Sequence, residues 1–348
     1  RSTLFPYTTL FRSERWNDDS SSSPTIQFSQ AAYSSSEDLR AMTVTVTRSG
    51  DTSVAASVDY ETVDGSGTQK ADFEYAAGTL VFAPGETNKT ITLLLNEDVL
   101  VEGNESFSIQ LSHSAGASLG QQSSASVDIT DDVPESLTSS IDEAESFVYM
   151  HYHDFLNREP DPTGLAFWTK EITSCGNDAQ CIDAKRTSVS AAFFLSIEFQ
   201  ETGYLRYLLQ KESFGSTPKY VEFMRDVQEV SRGVIVNSPG WEQKLKENKR
   251  QFAEKWISRP EFKSTYESMS NADYVNALYT NAGILPTQAE RDSLVTALDT
   301  PSENRATILL EVAANVAFRQ KESSAAFVLM EYFGYLRRDP DAAPDSSV

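Results

Sequence analysis

The stretch "LNEDVLVEGNESF" sets Glu97, Asp98, Glu102 and Glu105 around a glycine turn. Asp131 and Asp132 close a later β-like run, Asp72 stands in "KADFEY", and Glu37 precedes the first alternating segment. Carboxylates held close together repel and raise one another's pKa. A bound cation removes that penalty. Ca2+ suits the task, because it takes about six to eight hard oxygens in flexible geometry, bidentate Glu and backbone carbonyls included. Mg2+ keeps more water and takes fewer protein ligands. Spacing alone leaves ordinary solvated loop acids as the alternative.

Other chemistry is sparse. Cys175 and Cys181 flank "GNDAQ". They can close a small disulfide loop in an oxidising compartment or remain two thiols. A zinc site needs two more ligands, and none is close in sequence. His151 and His153 are two apart on an expected helix, so they point in different directions, and His113 sits in the turn-like "LSHSAG". No nucleophile elbow, zincin, phosphate-loop or dinucleotide fingerprint is present. Tyr204, Tyr207, Phe223, Trp241, Phe252 and Trp256 have the spacing of helical cores rather than of a ligand platform. No catalysis is expected.

The 348 residues suffice for two or three domains, and 39% hydrophobic content supports real cores. A formal charge of −22 repels nucleic-acid phosphates and anionic lipid. No apolar run approaches the length of a membrane span.

These acids must be positioned by strands. "TVTVTRSG", "SVDYETVDGSG", "GTLVFAPGET", "KTITLLLNED", "ESFSIQLSHS" and "SASVDITDD" are short β-rich runs punctuated by Gly, Pro or Asp, the pattern of a sandwich or barrel. Sandwich loops gather at two ends, so acids distant in sequence can meet there. From Glu135 the period changes to helical: Ile141, Ala144, Phe147, Val148, Tyr152 and Phe155 share a face, with Ser140 and Glu143 as a capping box. Further helices are expected at 163–173, 178–211, 218–230, 241–258, 271–280, 287–298, 302–320 and 323–337. "TDDVPESLTSS" joins the halves. The acid excess concentrates in the β half, with 16 acids against 4 bases in residues 25–133.

The helical half repeats itself. "FVYMHYHDFLNREPDP" (147–162) and "FVLMEYFGYLRRDPDA" (327–342) align without gaps and agree at eight of sixteen positions. "YVNALYTNAGIL" (274–285) is a weaker copy. After the first copy, Asp161 can cap the next helix with Pro162 at its first position. Leu165, Trp168 and Ile172 then form one apolar face, and Gly164 permits close approach. The second copy lacks that following helix, so the chain reads as cut mid-unit.

Residues 26–133 resemble a Calx-β domain, an immunoglobulin-like calcium-binding module. "VTVTRSG", "SVDYETVDGSGT", "ADFEYAAGTLVFAPGETNKTITL", "NEDVLVEGNESFSIQLS" and "VDITDD" carry the resemblance in order. It implies Ca2+ ligation by Glu37, Asp72, Glu97, Asp98, Glu102, Glu105, Asp131 and Asp132, with a backbone carbonyl near Leu100. Val133 follows only two terminal acids, Lys70 and Ala71 precede the Asp, and Phe73 replaces a Tyr. These departures imply fewer or weaker ions. "FLNREPDPTGLAFW", "FFLSIEFQETGY" and "YVNALYTNAG" resemble DUF4214, a helical repeat of bacterial exported proteins without established activity. Residues 1–13, "RSTLFPYTTLFRS", resemble a translated sequencing-library adapter and are expected to pack on nothing.

The expectation is a multidomain β + α chain. A tail at 1–24 precedes an immunoglobulin-like sandwich at 25–133. A linker at 134–140 leads to an all-α domain at 141–322 and the start of a further repeat at 323–348. Its function would be a calcium-binding extracellular or cell-surface module that spaces a helical domain meeting an envelope, glycan or protein partner. The export signal would be lost with the true N-terminus. The alternatives are the non-catalytic part of a larger secreted enzyme and a carbohydrate-binding helical module.

Overall fold

The computed structural model describes residues 23–97, 101–131, 142–300 and 303–341. Segment 1–13, the linker 134–140 and the expected cap Ser140 lie outside the described residues.

Among the described residues nine strands build two sheets: β1 (Thr25–Phe28), β2 (Ala32–Ser36), β3 (Ala41–Ser49), β4 (Ala56–Val63), β5 (Ala77–Phe82), β6 (Asn88–Leu94), β7 (Glu105–Ala115), β8 (Ser118–Leu119) and β9 (Ser124–Thr130). Sheet order is β6-β3-β1-β8 and β2-β9-β7-β4-β5. Alternation of apolar and polar residues sends one face of each strand inward. Ile26, Phe28, Val44, Val46, Val58, Phe82, Ile109 and Val127 are thereby fully buried between the sheets. Phe73, where the resemblance expects Tyr, stacks on Phe107 with ring centroids 3.9 Å apart.

The helices are α1 (Ala144–His151), α2 (Pro162–Thr173), α3 (Ala179–Phe194), α4 (Ile197–Phe214), α5 (Tyr220–Ser231), α6 (Trp241–Ser258), α7 (Pro260–Tyr266), α8 (Asn271–Ala282), α9 (Gln288–Ala297), α10 (Arg305–Ala313) and α11 (Val316–Glu331). Asp161 caps α2 by accepting from Gly164 N at 2.8 Å, with Pro162 in the first turn. A Cβ at Gly164 would collide with the Tyr152 hydroxyl, so the close approach is real. Ile172 is buried, while Leu165 and Trp168 pack partly buried on the same core.

Three expected helix boundaries differ. The run 178–211 is two helices, because Ser196 accepts from Phe199 N and caps a new start. The apolar period persists across the break and hides it. The break near 321 lies instead at Ala314 and Asn315, where Asn315 caps α11. Helix α7 was not expected; Pro260 opens it and Phe262 and Tyr266 anchor it. The anticipated division at 322/323 falls inside α11, whose Ala326 and Met330 share the helical core.

Both copies of the repeated segment end alike. Each helix loosens into a π turn, Tyr152–Leu156 and Tyr332–Leu336. Each turn stops at a residue in the left-handed region, Asn157 (φ 48°) and Arg337 (φ 50°). The weaker copy, α8, ends on Gly283 without such a turn. Cys175 and Cys181 are joined in a disulfide with Cα atoms 5.6 Å apart.

Strand β5 is a sheet edge, and an unpaired edge invites pairing with other chains. Here α5 covers it. Gln228 accepts from Ala77 N at 3.0 Å and donates to Tyr75 O, and Arg232 donates to Thr79 O at 2.6 Å. Gln228→Ala strands the Ala77 N–H. It is expected to lower stability by about 1–3 kcal/mol in urea unfolding.

Candidate metal centre

One end of the sandwich gathers the acids. Register does most of the work. Glu105 opens β7 opposite Ile129 of β9, and Ser36 at the end of β2 lies beside Thr130. Glu37 and Asp131 therefore leave adjacent strands side by side. The loop after β4 folds back onto β7. Gly67 N donates to Ser106 O at 2.9 Å, and Ser106 N donates to Ser66 Oγ at 2.9 Å. Within that loop Asp72 Oδ2 accepts from Thr68 N at 2.6 Å.

Asp72, Glu102 and Glu105 each offer a carboxylate oxygen within 4.8 Å of the others'. Burial pushes the Glu105 carboxyl up to about 7, helped by its hydrogen bond to Asp72 and by the charges of Asp72 and Glu102. Asp131 reaches the same loop: its Oδ2 accepts from Gly103 N at 2.7 Å. Its Oδ1 is buried and has no hydrogen-bond partner among the described residues. Buried polar atoms are normally paired, so this oxygen calls for a cation or a water. Hard, anionic, converging oxygens match Ca2+ chemistry.

The remaining sequence candidates divide. Glu97 follows Asn96, whose N–H donates to Asp72 O at 3.0 Å, yet Glu97 stands outside the three-carboxylate group. It lines a small cavity against α1 with Arg40, Tyr149 and His153. Glu37 sits in a single 3-10 turn, also outside that group. Asp98, Asp132 and the Leu100 carbonyl lie outside the described residues. Lys70, one of the departures from the family pattern, places its ammonium over the Tyr220 ring of α5, 5.0 Å from the centroid.

Residues 19–133 match the family model of the Calx-beta domain, and residues 137–202 match the "Domain of unknown function (DUF4214)". The chain joins a Calx-beta domain to a DUF4214 region. The second match ends at residue 202, short of the "YVNALYTNAG" segment (274–283) that also carries the resemblance. Sodium/calcium exchanger 1 of Mus musculus is 32% identical over 126 residues, 31% of this chain and 13% of that one. Sodium/calcium exchanger 3 of Homo sapiens is 39% identical over 87 residues, 25% of this chain and 9% of that one. The match thus spans a small part of these relatives' length. Among solved structures, the apo-form Calx CBD1 domain is 33% identical, covering 32% of this chain and 99% of that chain, with a TM-score of 0.31. The "calcium binding domain CBD12 of CALX1.1" is 34% identical, covering 31% of this chain and 44% of that chain, with a TM-score of 0.30.

Besides the β5 edge, the helices attach next to the acid-bearing end of the Calx-beta domain. Glu74, two residues beyond Asp72, is buried and paired with Arg337, which also donates to Asp154 at 3.0 Å. Asn96 Nδ2 donates to Glu74 Oε1 at 3.1 Å and to Lys70 O at 3.0 Å. Asn157 Nδ2 donates to Tyr75 O at 3.2 Å. The two left-handed residues, one per repeat copy, therefore both grip the segment that follows Asp72. Sequence reading missed Glu74, Asp154 and Arg337. The available signal was an acid inside the otherwise apolar run "FEYAA". His151 and His153 are buried packing residues, and His113 is exposed: His151 Nδ1 lies 2.8 Å from Phe147 O, and His153 Nε2 lies 3.1 Å from Glu159 Oε1.

Proposed function

We propose that the Calx-beta domain binds Ca2+ through Asp72, Glu102, Glu105 and Asp131, with Glu37, Glu97, Asp98 and Asp132 as further ligand candidates. The ion braces the end of the sandwich that holds the helical half. The observation that carries this reading is the three-carboxylate cluster beside the buried Asp131 oxygen, which has no hydrogen-bond partner among the described residues. The proposal is a structural or adhesive module with no catalytic step. Extracellular modules bind Ca2+ at about 10⁻⁴–10⁻³ M, so a permanently bound, bracing ion fits a calcium-rich exterior. The disulfide Cys175–Cys181 supports the same setting, because such bonds persist in oxidising compartments. Among the described residues no helix is long and apolar enough to cross a membrane.

The test is calorimetric titration and thermal melting of the whole chain with CaCl2, with MgCl2 as comparison. At 10 mM, about 10–100 times the expected Kd, Ca2+ should stabilise by about 1.4–2.7 kcal/mol. Asp72→Asn with Glu105→Gln should abolish this response. The sign reverses without the ion. A Glu105 carboxyl raised to about 7 holds a proton when folded that the unfolded chain releases, so apo stability falls as pH rises from the ordinary carboxyl range towards 7. Glu105→Gln should therefore stabilise the apo chain at pH 8 and destabilise the calcium-loaded one. No heat and no melting shift in the unsubstituted chain at 10 mM Ca2+ sinks the reading.

One observation favours a second reading, a saccharide-binding helical half. A cleft of about 390 Å³ opens between exposed Phe167 with Trp168 and the Arg158–Glu198 ion pair. Aromatic faces beside fixed polar groups suit sugar rings. A glycan array comparing the unsubstituted chain with Phe167→Ala separates this from a pure spacer.

A further inference from the structure

The two repeat copies present the same stripe in two different states. In the first copy the stripe is Val148, Tyr152 and Leu156, at successive turns of one helix face, and the three are 0%, 3% and 8% exposed. Helix α2 packs on that face: the Tyr152 hydroxyl abuts Gly164, and Leu156 lines the same cleft as Trp168. In the second copy the aligned residues are again Val, Tyr and Leu. Val328 is 53% and Leu336 49% exposed, and Tyr332 is half-buried between them. The backbone is the same in both, an α-helix running into a π turn and a left-handed stop. What differs is the cover.

Scattered exposed apolar residues need no explanation. An apolar stripe identical in residue type and backbone to one buried elsewhere in the same chain is a different matter, because its natural cover is already on view. We infer that the Val328–Tyr332–Leu336 face is a docking surface for an amphipathic helix of the α2 kind, supplied by a further unit of the same repeat. The occupant's chemistry follows from α2. It enters through an Asp-Pro cap, carries Leu, Trp and Ile at i, i+3 and i+7, and needs Gly at its third position, where a side chain would strike the Tyr332 hydroxyl as it would strike Tyr152. Asp341 stands where Asp161 caps α2. Residues 342–348, "AAPDSSV", carry no such stripe. The inference is independent of the calcium reading.

The test replaces 342–348 of the whole chain with a copy of residues 162–196, leaving Asp341 as the cap. Hydrogen exchange of segment 327–337 and the thermal midpoint are compared with the unextended chain. Amide exchange across 327–337 should slow at least tenfold and the midpoint should rise. Both gains should vanish when the appended copy carries Gly164→Leu or Trp168→Asp, or when the host carries Val328→Asp with Leu336→Asp. An appended segment that exchanges like unfolded chain overturns the inference. So does concentration-dependent dimerisation of the unextended chain, in sedimentation, that Val328→Asp abolishes, since the face would then belong to a second copy.

Discussion

Arg337→Ala is expected to be among the most damaging single substitutions in the chain, lowering stability at pH 8 by about 3–5 kcal/mol, because removing one partner of a buried ion pair leaves the other charge uncompensated. Here two carboxylates lose their cation together, Glu74 from the Calx-beta domain and Asp154 from the first π turn. The left-handed backbone at residue 337 persists because those contacts hold the side chain. The effect should depend on pH. Burial pushes the Asp154 carboxyl up to about 7, with Arg337 opposing and Glu74 adding to the shift. Without Arg337 the opposition disappears, so the folded state takes up a proton more readily and the deficit should shrink as pH falls from 8 to 5. Urea unfolding of both chains across that range is the measurement. A deficit under 1 kcal/mol, or one that grows on acidification, would show that the triad does not hold the junction.

The second large effect concerns Glu212, in the last turn of α4. Its side chain is fully buried, and among the described residues neither carboxyl oxygen has a hydrogen-bond partner. Tyr266, Tyr274 and Tyr279 lie close enough that a charge on it would act on them. Burial alone raises the carboxyl well above its ordinary value, so it is held neutral in the folded chain. Glu212→Met keeps the shape and removes an unsatisfied polar group, for an expected gain of about 1–3 kcal/mol at acid pH. The gain should widen as pH rises. The unfolded chain releases the proton above about 4.5 while the folded chain retains it, and the native protein loses up to about 1.4 kcal/mol per pH unit from this site. Urea midpoints at pH 5 and pH 8 read both numbers. A variant less stable than the native chain, or a gain that does not change with pH, contradicts the account.

Which parts were legible in advance follows from the range of each signal. The β and α halves, the Asp161–Pro162 cap, the α2 stripe and the repeat are written in residues a few positions apart, and those local patterns survive any tertiary context. The break at Ser196 was not readable, because the apolar period runs through it and only the cap geometry reveals the stop. The cluster of Asp72, Glu102 and Glu105 was anticipated as types of residue, but its closeness is a product of strand register, which pairs Glu105 with the end of β9 and folds the Asp72 loop back onto β7.

By itself the sequence determined the order of the two halves, their periodicities, and which acids could meet at one end of a sandwich. Tertiary structure alone decided that this end is also an attachment point of the helices. It decided too that Glu74 and Glu212 are buried, that Asp154 meets Arg337, and that Val328 and Leu336 lie open where Val148 and Leu156 are covered. The physical reason is that burial is not a property of a residue or of its neighbours in sequence. It depends on which distant surface comes to rest against it, and two nearly identical segments can differ completely in that respect.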